Sequence, residues 1–174
     1  MKAPAIVVMG VSGCGKSTLG ALLARTLGCP FLEGDQFHDE AAVAKMRAGR
    51  PLSDEDRRPW LDRVGQAIGA AVRSDGVAVA ACSALRRRYR DQLREAIGVP
   101  ARFVLLDGGR DELMRRLLNR PHHYMPASLL DSQLATLERP DPDEGAIALD
   151  ACAAPEQLCD TTLAWLRGGC ETTV

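Results

Sequence analysis

A glycine-rich loop near the start of the chain constrains the fold more than any other feature of the sequence. Residues 10–17 read Gly-Val-Ser-Gly-Cys-Gly-Lys-Ser, which matches the phosphate-binding pattern G-x-x-x-x-G-K-[ST]. An apolar, β-branched run at 5–9 precedes the loop, and leucines recur at helical spacing over 19–27. A strand, a loop and a helix in this order predict a P-loop, in which backbone N–H groups and the positive end of a helix bind phosphate oxygens.

The loop contains each group that binding a nucleoside triphosphate requires. Lys16 supplies a charge for the β- and γ-phosphates, and Ser17 supplies a hydroxyl for Mg²⁺. ATP and Mg²⁺ are therefore the expected cofactors. The predicted nucleotide-binding residues are the loop, the residue after it and two arginines from later in the chain: Gly10, Val11, Ser12, Gly13, Cys14, Gly15, Lys16, Ser17, Thr18, Arg116 and Arg120.

Length and charge narrow the class of protein further. The chain has 174 residues, which predicts one domain, expected over 1–168 with a frayed tail over 169–174. A net charge of −1 offers no basic field for nucleic acid or for an anionic membrane. No apolar run is long enough to span a bilayer, and a strand begins at once in place of a signal peptide, so we expect a cytoplasmic protein. The six cysteines include no C-x-x-C pair and no zinc-like Cys/His spacing.

Short apolar runs alternate with amphipathic segments along the whole chain. We predict strands at 5–9, 31–33, 77–81, 102–106 and 146–149, separated by helices. This alternation predicts an α/β fold with a five-stranded parallel sheet and helices on its faces. Ligands of such sheets bind at the carboxyl ends of the strands, so the P-loop, Asp35 and Cys82-Ser83 are expected to meet there.

The position of the acidic residues favours a kinase over a motor ATPase. Motor ATPases usually end a strand with an acidic Mg²⁺-binding residue, but 77–83 contains none. Asp35 instead follows the second strand, where its carboxylate could face the γ-phosphate and take a proton from an incoming hydroxyl, or hold Mg²⁺ through water. The alternative is that Asp35 only caps a turn.

An arginine-rich segment follows the fourth strand and resembles a lid. Arg115, Arg116 and Arg120 are followed by two histidines and a tyrosine, and prolines bound this stretch. Small-molecule kinases carry a mobile helical lid here, expected at about 110–140, whose arginines close over the phosphates and exclude water. We interpret Arg115 as a solvated surface residue. Arg116 and Arg120 are four apart, which predicts one helical face.

Several longer motifs resemble the bacterial-type gluconokinases over almost the whole length. The resemblance is carried by Glu33-Gly34-Asp35-x-x-His38, by Asp56-Arg57-x-Pro59-Trp60-Leu61, by Cys82-Ser83-Ala84-Leu85-Arg86, by Arg116-x-x-x-Arg120-x-x-His123-Tyr124 and by Ser132-Gln133-x-x-x-Leu137-Glu138-x-Pro140. It implies a P-loop fold of the nucleoside-monophosphate-kinase type and ATP-dependent phosphorylation of D-gluconate on its 6-hydroxyl. It also implies a homodimer, as many relatives form. Arg86 and Tyr124 depart from the family's usual lysine and phenylalanine.

The resemblance implies a set of residues for a small polyhydroxy acid. A carboxylate favours a guanidinium, and hydroxyl groups favour short polar side chains. The expected substrate-binding residues are Asp35, His38, Arg57, Arg86, His123 and Gln133, with Lys16, Asp35 and Arg120 in catalysis. Arg57 could instead pair with a carboxylate on its helix, Arg86 could belong to a solvated arginine run, and His38 could be a turn residue. Trp60 and Tyr89 are expected to be packing residues.

Three other functions would also use a P-loop. A kinase of another metabolite such as shikimate would typically show D-x-D after the second strand, where this chain has Glu33-Gly34-Asp35. A nucleoside-monophosphate kinase fits less well, because 47–60 matches the gluconokinase block. A regulatory nucleotide-binding module without transfer activity would be expected to lack Lys16, Asp35 or the lid arginines, and all of them are present.

Overall fold

A five-stranded parallel sheet flanked by helices forms the centre of the molecule. The computed structural model describes residues 4–120 and 126–168. The strands are β1 (Ala5–Met9), β2 (Phe31–Glu33), β3 (Ala78–Ala81), β4 (Ala101–Asp107) and β5 (Ala146–Asp150). The helices are α1 (Lys16–Leu27), α2 (Glu40–Arg47), α3 (Asp54–Asp75), α4 (Arg87–Ile97), α5 (Arg110–Leu118), α6 (Leu130–Thr136) and α7 (Pro155–Gly168). Short 3₁₀ helices cover Gly34–Phe37, Ala127–Leu129 and Pro142–Glu144.

The strand order places the P-loop at the middle of the sheet. The order is β2-β3-β1-β4-β5, with each neighbouring pair parallel. Val7 of β1 is in register with Ala80 on one side and Phe103 on the other. Every residue of β1 is buried, as expected for a strand covered by helices on both faces. The predicted α/β kinase fold and its five strands are confirmed, and the loop after β1 lies between β3 and β4.

Local sequence signals explain where the flanking helices begin. Ser53 and Asp56 form a reciprocal capping box at the start of α3, and Asp39 caps α2 by accepting from the Ala42 amide at 2.7 Å. α3 packs closely on α4, because Gly65 leaves room for it. A Cβ at Gly65 would come within 2.4 Å of the Ala96 Cβ. α1 and α7 cover the opposite face, so each face of the sheet has its own apolar core.

The end of α5 corrects one prediction. α5 ends at Leu118 and Asn119 is its C-cap, so Arg120 lies beyond the helix. Arg116 and Arg120 therefore do not share one helical face, as their spacing had predicted. The expected lid residues His123 and Tyr124, and the tail over 169–174, lie outside the described residues. Within the described ranges, no helix combines the length and the apolar character needed to cross a membrane.

Candidate active site

The first turn of the P-loop requires glycine at position 10. Gly10 has φ +143°, and a Cβ there would lie 2.8 Å from Cys14 Sγ and 2.9 Å from the Leu106 carbonyl oxygen. Its amide donates to the Ser83 carbonyl at 3.2 Å, which ties the loop to the end of β3. Lys16 turns back over the loop and donates from Nζ to the Val11 carbonyl at 3.0 Å. The loop thus has the cradle geometry that places N–H groups and an ammonium group around an anion.

Two cavities open from the P-loop and share part of their walls. The phosphate cavity is lined by loop residues together with Glu33, Asp35 and Arg120. The acceptor cavity lies beside it and is lined by residues from α2, α3 and α6, among them Arg57 and Gln133, and by His38, which precedes α2. The residues common to both cavities are Ser12, Lys16 and Asp35. A phosphate bound by the loop and a molecule in the acceptor cavity would therefore meet at these three side chains.

Oxygen atoms suited to Mg²⁺ lie at one end of the phosphate cavity. The Ser17 hydroxyl donates to Glu33 Oε2, and Asp35 lines the same cavity. Mg²⁺ prefers oxygen ligands and binds in nucleotide sites through one or two protein groups, phosphate oxygens and water. The residues present fit such an ion. Among residues 4–120 and 126–168, no three His, Cys, Asp or Glu side chains cluster tightly enough to hold a metal by themselves.

Glu33 is a candidate functional residue that the sequence patterns did not predict beyond its place in a family motif. It ends β2 at the same sheet edge as the P-loop. A carboxylate at the carboxyl end of a parallel strand was the available signal.

The close packing of Gly34 positions Asp35 and His38. A Cβ at Gly34 would lie 2.3 Å from the Ala81 carbonyl oxygen, so only glycine lets β2 pass this close to β3. Trp60 Nε1 donates to the Gly34 carbonyl at 2.8 Å, and its indole stacks on the His38 ring with centroids 4.1 Å apart. Trp60 is buried, as expected of a packing residue, and it also fixes the turn that carries Asp35.

His38 presents a neutral imidazole to the acceptor cavity. Burial lowers the pKa of His38 to about 4, although the nearby charge of Asp35 opposes that shift. Its Nδ1 is buried and has no hydrogen-bond partner among the described residues. A neutral ring with an unpaired nitrogen can accept from, or donate to, a hydroxyl group of a bound molecule. His38 therefore ends the 3₁₀ turn that carries Asp35 and also lines the acceptor cavity.

Hydrogen bonds to neighbouring residues hold Arg57 at the wall of the acceptor cavity. Its Nη1 donates to the Leu52 carbonyl at 2.7 Å and to the Tyr89 hydroxyl at 3.1 Å. The Tyr89 hydroxyl in turn donates to Asp54 Oδ1. Tyr89 is buried in the core, as predicted, and its hydroxyl also links Arg57 to Asp54. These contacts orient the guanidinium, which lines the cavity.

The remaining predicted substrate residues do not all line the acceptor cavity. Gln133 lines the acceptor cavity and accepts from the Ser12 amide at 2.7 Å. Arg86 precedes α4 and does not line that cavity, and its Nε is buried without a partner among the described residues. Its neighbour Arg87 forms solvent-exposed ion pairs with Asp141 and Asp143. His123 lies in the part of the chain that the structure does not describe.

The three arginines of the expected lid have separate environments. Arg115 is exposed and pairs with Glu112 at 2.7 Å, as the surface interpretation predicts. Arg116 donates to Glu112 at 2.9 Å and to the Ala151 carbonyl at 3.1 Å, and it lines a third cavity with Cys14 and Thr18. Arg120 is exposed and lines the phosphate cavity. Arg116 and Arg120 thus line different cavities beside the P-loop.

Comparisons with known proteins agree on one family. A family model described as an AAA domain matches residues 6–140. A gluconokinase of Gluconobacter oxydans (strain 621H) is 47% identical over 89% of this chain and 86% of its own. The thermoresistant gluconokinase of Escherichia coli (strain K12) is 42% identical over 94% of this chain and 93% of its own.

Solved structures give the same result. A gluconokinase structure from Sinorhizobium meliloti 1021 has a TM-score of 0.84 at 42% identity, covering 97% of this chain and 94% of its own. A shikimate kinase from Aquifex aeolicus vf5 has a TM-score of 0.58 at 19% identity, covering 94% of this chain and 96% of its own. At that identity the second similarity concerns the fold alone.

Proposed function

Since the chain belongs to the gluconokinase family, we propose that it transfers the γ-phosphoryl group of ATP to the 6-hydroxyl of D-gluconate, giving 6-phospho-D-gluconate and ADP. The observation that carries this proposal is the shared wall of the phosphate and acceptor cavities, formed by Ser12, Lys16 and Asp35. A reaction between two bound substrates needs such a meeting point, because holding the reacting atoms in contact removes much of the entropic cost of the step.

Asp35 and Lys16 have different proposed roles in the transfer. In the proposed reaction the 6-oxygen bonds to the γ-phosphorus while the bond from that phosphorus to the β,γ-bridging oxygen breaks. The proton of the 6-hydroxyl passes to the Asp35 carboxylate, which also orients the hydroxyl. Lys16 stabilises the charge that develops on the transferring phosphoryl group. Arg120, at the outer side of the phosphate cavity, would close over the phosphates and exclude water.

Substrate recognition is proposed to rest on Arg57 and His38. We assign the gluconate carboxylate to Arg57 in preference to Arg86, because Arg57 lines the acceptor cavity and Arg86 does not. A held guanidinium offers the paired donors that a carboxylate accepts. The neutral His38 ring suits the sugar hydroxyls, and Gln133 and His123 remain proposed contacts. Recognition of one carboxylate by Arg57 and of several hydroxyl groups by neutral side chains favours a polyhydroxy monoacid.

The proposed nucleotide site uses the P-loop and its surroundings. Ser17, and Asp35 through water, would hold Mg²⁺, and Glu33 adds a third oxygen ligand within reach. When bound, Mg²⁺ supplies positive charge that offsets the charge on the phosphates. The cavity lined by Cys14, Thr18 and Arg116 also borders the loop, and we place the nucleoside there. We also propose a cytoplasmic location, and a homodimer on the basis of the family resemblance.

A comparison of acceptors tests the function. Purified protein with Mg²⁺ and ATP is incubated with gluconate, shikimate or AMP, while a coupled assay follows ADP and mass spectrometry detects the product. We expect a monophosphate of gluconate and the highest kcat/KM for gluconate. Equal or faster turnover of shikimate or AMP would contradict the assignment. Nucleotide binding without any transfer would instead indicate a regulatory module.

A further inference from the structure

One long-range contact joins the phosphate loop to α6. Gln133 Oε1 accepts a hydrogen bond from the Ser12 backbone N–H at 2.7 Å, across 121 positions of sequence. Gln133 is only 9% exposed, and both residues line the acceptor cavity. A buried amide side chain is costly unless it is hydrogen-bonded. This hydrogen bond therefore satisfies the buried amide oxygen of Gln133.

The Ser12 amide lies where the phosphate cavity and the acceptor cavity meet. Ser12 lines the phosphate cavity as well as the acceptor cavity. Backbone N–H groups of a P-loop are the donors that bind phosphate oxygens, and their directions decide which oxygens they can reach. By holding this N–H, Gln133 sets the direction of the loop backbone at the point where the two substrates would meet.

The helix that carries Gln133, α6, is anchored in the core. One of the residues that anchor it also lines the acceptor cavity. Leu130, one turn earlier, is fully buried in the core. Just beyond the helix, the Glu138 amide donates to the Leu85 carbonyl at 2.7 Å, and Arg90 Nη1 donates to the Glu138 carbonyl at 3.0 Å. Leu85 itself lines the acceptor cavity. A molecule bound in that cavity would therefore contact both the amide of Gln133 and the loop that anchors its helix.

We propose that Gln133 is a positioning residue that couples binding of the sugar acid to binding of the nucleotide. The acceptor orders the Gln133 amide, and this amide orders the Ser12 N–H beside the transferring phosphoryl group. The inference rests on the proposed function, because the acceptor is gluconate. Gln133 makes and breaks no covalent bond. Coupling of this kind is reciprocal, so each substrate raises the affinity for the other by the same factor.

Calorimetric titration measures the coupling directly. The dissociation constant of the non-transferable ATP analogue AMPPNP, with Mg²⁺, is determined with and without saturating gluconate for the wild type, Gln133→Met and Ser132→Ala. We expect gluconate to tighten AMPPNP binding to the wild type by about fivefold or more, a usual size for coupling between sites. In Gln133→Met, which keeps the side-chain length and loses the amide, this ratio should fall to about one, and kcat should fall with it.

Ser132→Ala is the matched control. Ser132 precedes Gln133 on α6 and lines the same cavity. Its loss is expected to weaken gluconate binding while the ratio of AMPPNP affinities keeps its wild-type value. A merely structural role for Gln133 would lower the melting temperature of Gln133→Met and leave that ratio unchanged, which overturns the inference.

Other outcomes separate the inference from the proposed function. A wild type that phosphorylates gluconate but binds the two ligands independently overturns the inference alone. A wild type that neither binds nor phosphorylates gluconate overturns the function and the inference together. If Gln133→Met does not fold, Gln133→Asn keeps an amide but shortens the side chain by one methylene, which moves the amide oxygen out of reach of the Ser12 N–H. The ratio of AMPPNP affinities should again fall to about one, and a ratio equal to that of the wild type would overturn the inference.

Discussion

At the scale of single residues, the proposed chemistry depends on two side chains that lie in the wall between the cavities. Asp35→Asn keeps the size and the hydrogen-bonding capacity of the side chain and removes its ability to accept a full proton. We expect kcat to fall by roughly 10²- to 10⁴-fold. Steady-state kinetics with gluconate measures the loss, and a titration of the Mg²⁺ requirement distinguishes the two possible roles. A base leaves that requirement nearly unchanged, and a metal-holding carboxylate raises it.

Asp39→Asn is the control for Asp35→Asn. Asp39 is an exposed carboxylate four residues away, and its side chain caps α2 by accepting from the Ala42 amide. Asparagine caps a helix about as well as aspartate does. The control should therefore keep nearly full activity. Near-normal kcat in Asp35→Asn would remove Asp35 from the mechanism.

Lys16 is expected to act mainly in the transition state. Its ammonium group already lies over the loop, 3.0 Å from the Val11 carbonyl, in the wall that both cavities share. Lys16→Ala should lower kcat by roughly 10²-fold or more, because it removes charge stabilisation where negative charge shifts during transfer. Saturation curves for ATP test this. A variant that keeps its kcat and only raises the KM for ATP would show that Lys16 binds ground state and transition state equally.

Sequence patterns found the chemical groups of the site better than they found the residues that orient them. The P-loop residues and Asp35 follow from a local motif and from the sheet-edge rule, so the amino-acid sequence alone is enough to locate them. The link from Arg57 through Tyr89 to Asp54 cannot be located in this way, because it joins α3 to α4 through a tyrosine that reads as apolar. The contact between Gln133 and Ser12 likewise depends on packing between distant parts of the chain.

At the scale of secondary-structure elements, the end of α5 decides what the lid arginines can do. Because the helix ends at Leu118, the direction of the Arg120 side chain is not set by the helix, and Arg120 lines the phosphate cavity. Arg116 lies within the helix and donates to the Ala151 carbonyl. Spacing alone predicted one shared face, although Asn119 and Pro121 are local signals of a helix end that place Arg120 outside it. The strands and most helix ends were predictable, because apolar runs, capping residues and glycines mark them locally.

Replacing Arg116 and replacing Arg120 should therefore change different kinetic constants. Arg120→Ala is expected to lower kcat by about tenfold or more, since a phosphate-facing charge and the exclusion of water are lost. Arg116→Ala should chiefly raise the KM for ATP. Arg115→Ala is the control, because Arg115 is exposed and pairs only on the surface with Glu112 among the described residues. Steady-state kinetics on the three variants tests this, and wild-type kcat in Arg120→Ala would assign Arg120 to the solvated surface.

At the scale of the whole molecule, one buried ion pair holds together the segments that surround the acceptor cavity. Arg90 and Glu144 are fully buried and joined by two hydrogen bonds, of 2.6 Å and 2.9 Å. Arg90 Nη1 also donates to the carbonyls of Ala84 and Glu138, at 3.1 Å and 3.0 Å. Ala84 has φ +45°, an uncommon conformation for a residue other than glycine, so these contacts support a turn that would otherwise be costly. The site therefore depends on a pair that no local motif marked.

Removing one charge of this pair should destabilise the whole protein. Glu144→Gln is expected to lower the free energy of unfolding at pH 7 by about 3–5 kcal/mol, because it leaves the Arg90 guanidinium buried without its counter-charge. Urea denaturation followed by circular dichroism measures the loss. Glu112→Gln is the control, since Glu112 pairs with arginines that are partly or largely exposed, and it should cost much less. A Glu144→Gln variant as stable as the wild type would show that the pair does not support the fold.

The same pair predicts how stability depends on pH. Burial raises the pKa of Glu144, but hydrogen bonds from Arg90 and from the Asp141 amide lower it more, to about 2 from an ordinary value of 4.5. A lowered pKa in the folded state stabilises the protein above pH 4.5, and this stabilisation is lost as the pH falls from there toward 2. The loss should reach about 3 kcal/mol in the wild type and be missing from Glu144→Gln. The difference between the two unfolding free energies should therefore shrink as the pH falls, and a constant difference down to about pH 2.5 would contradict the assignment of this shift to Glu144.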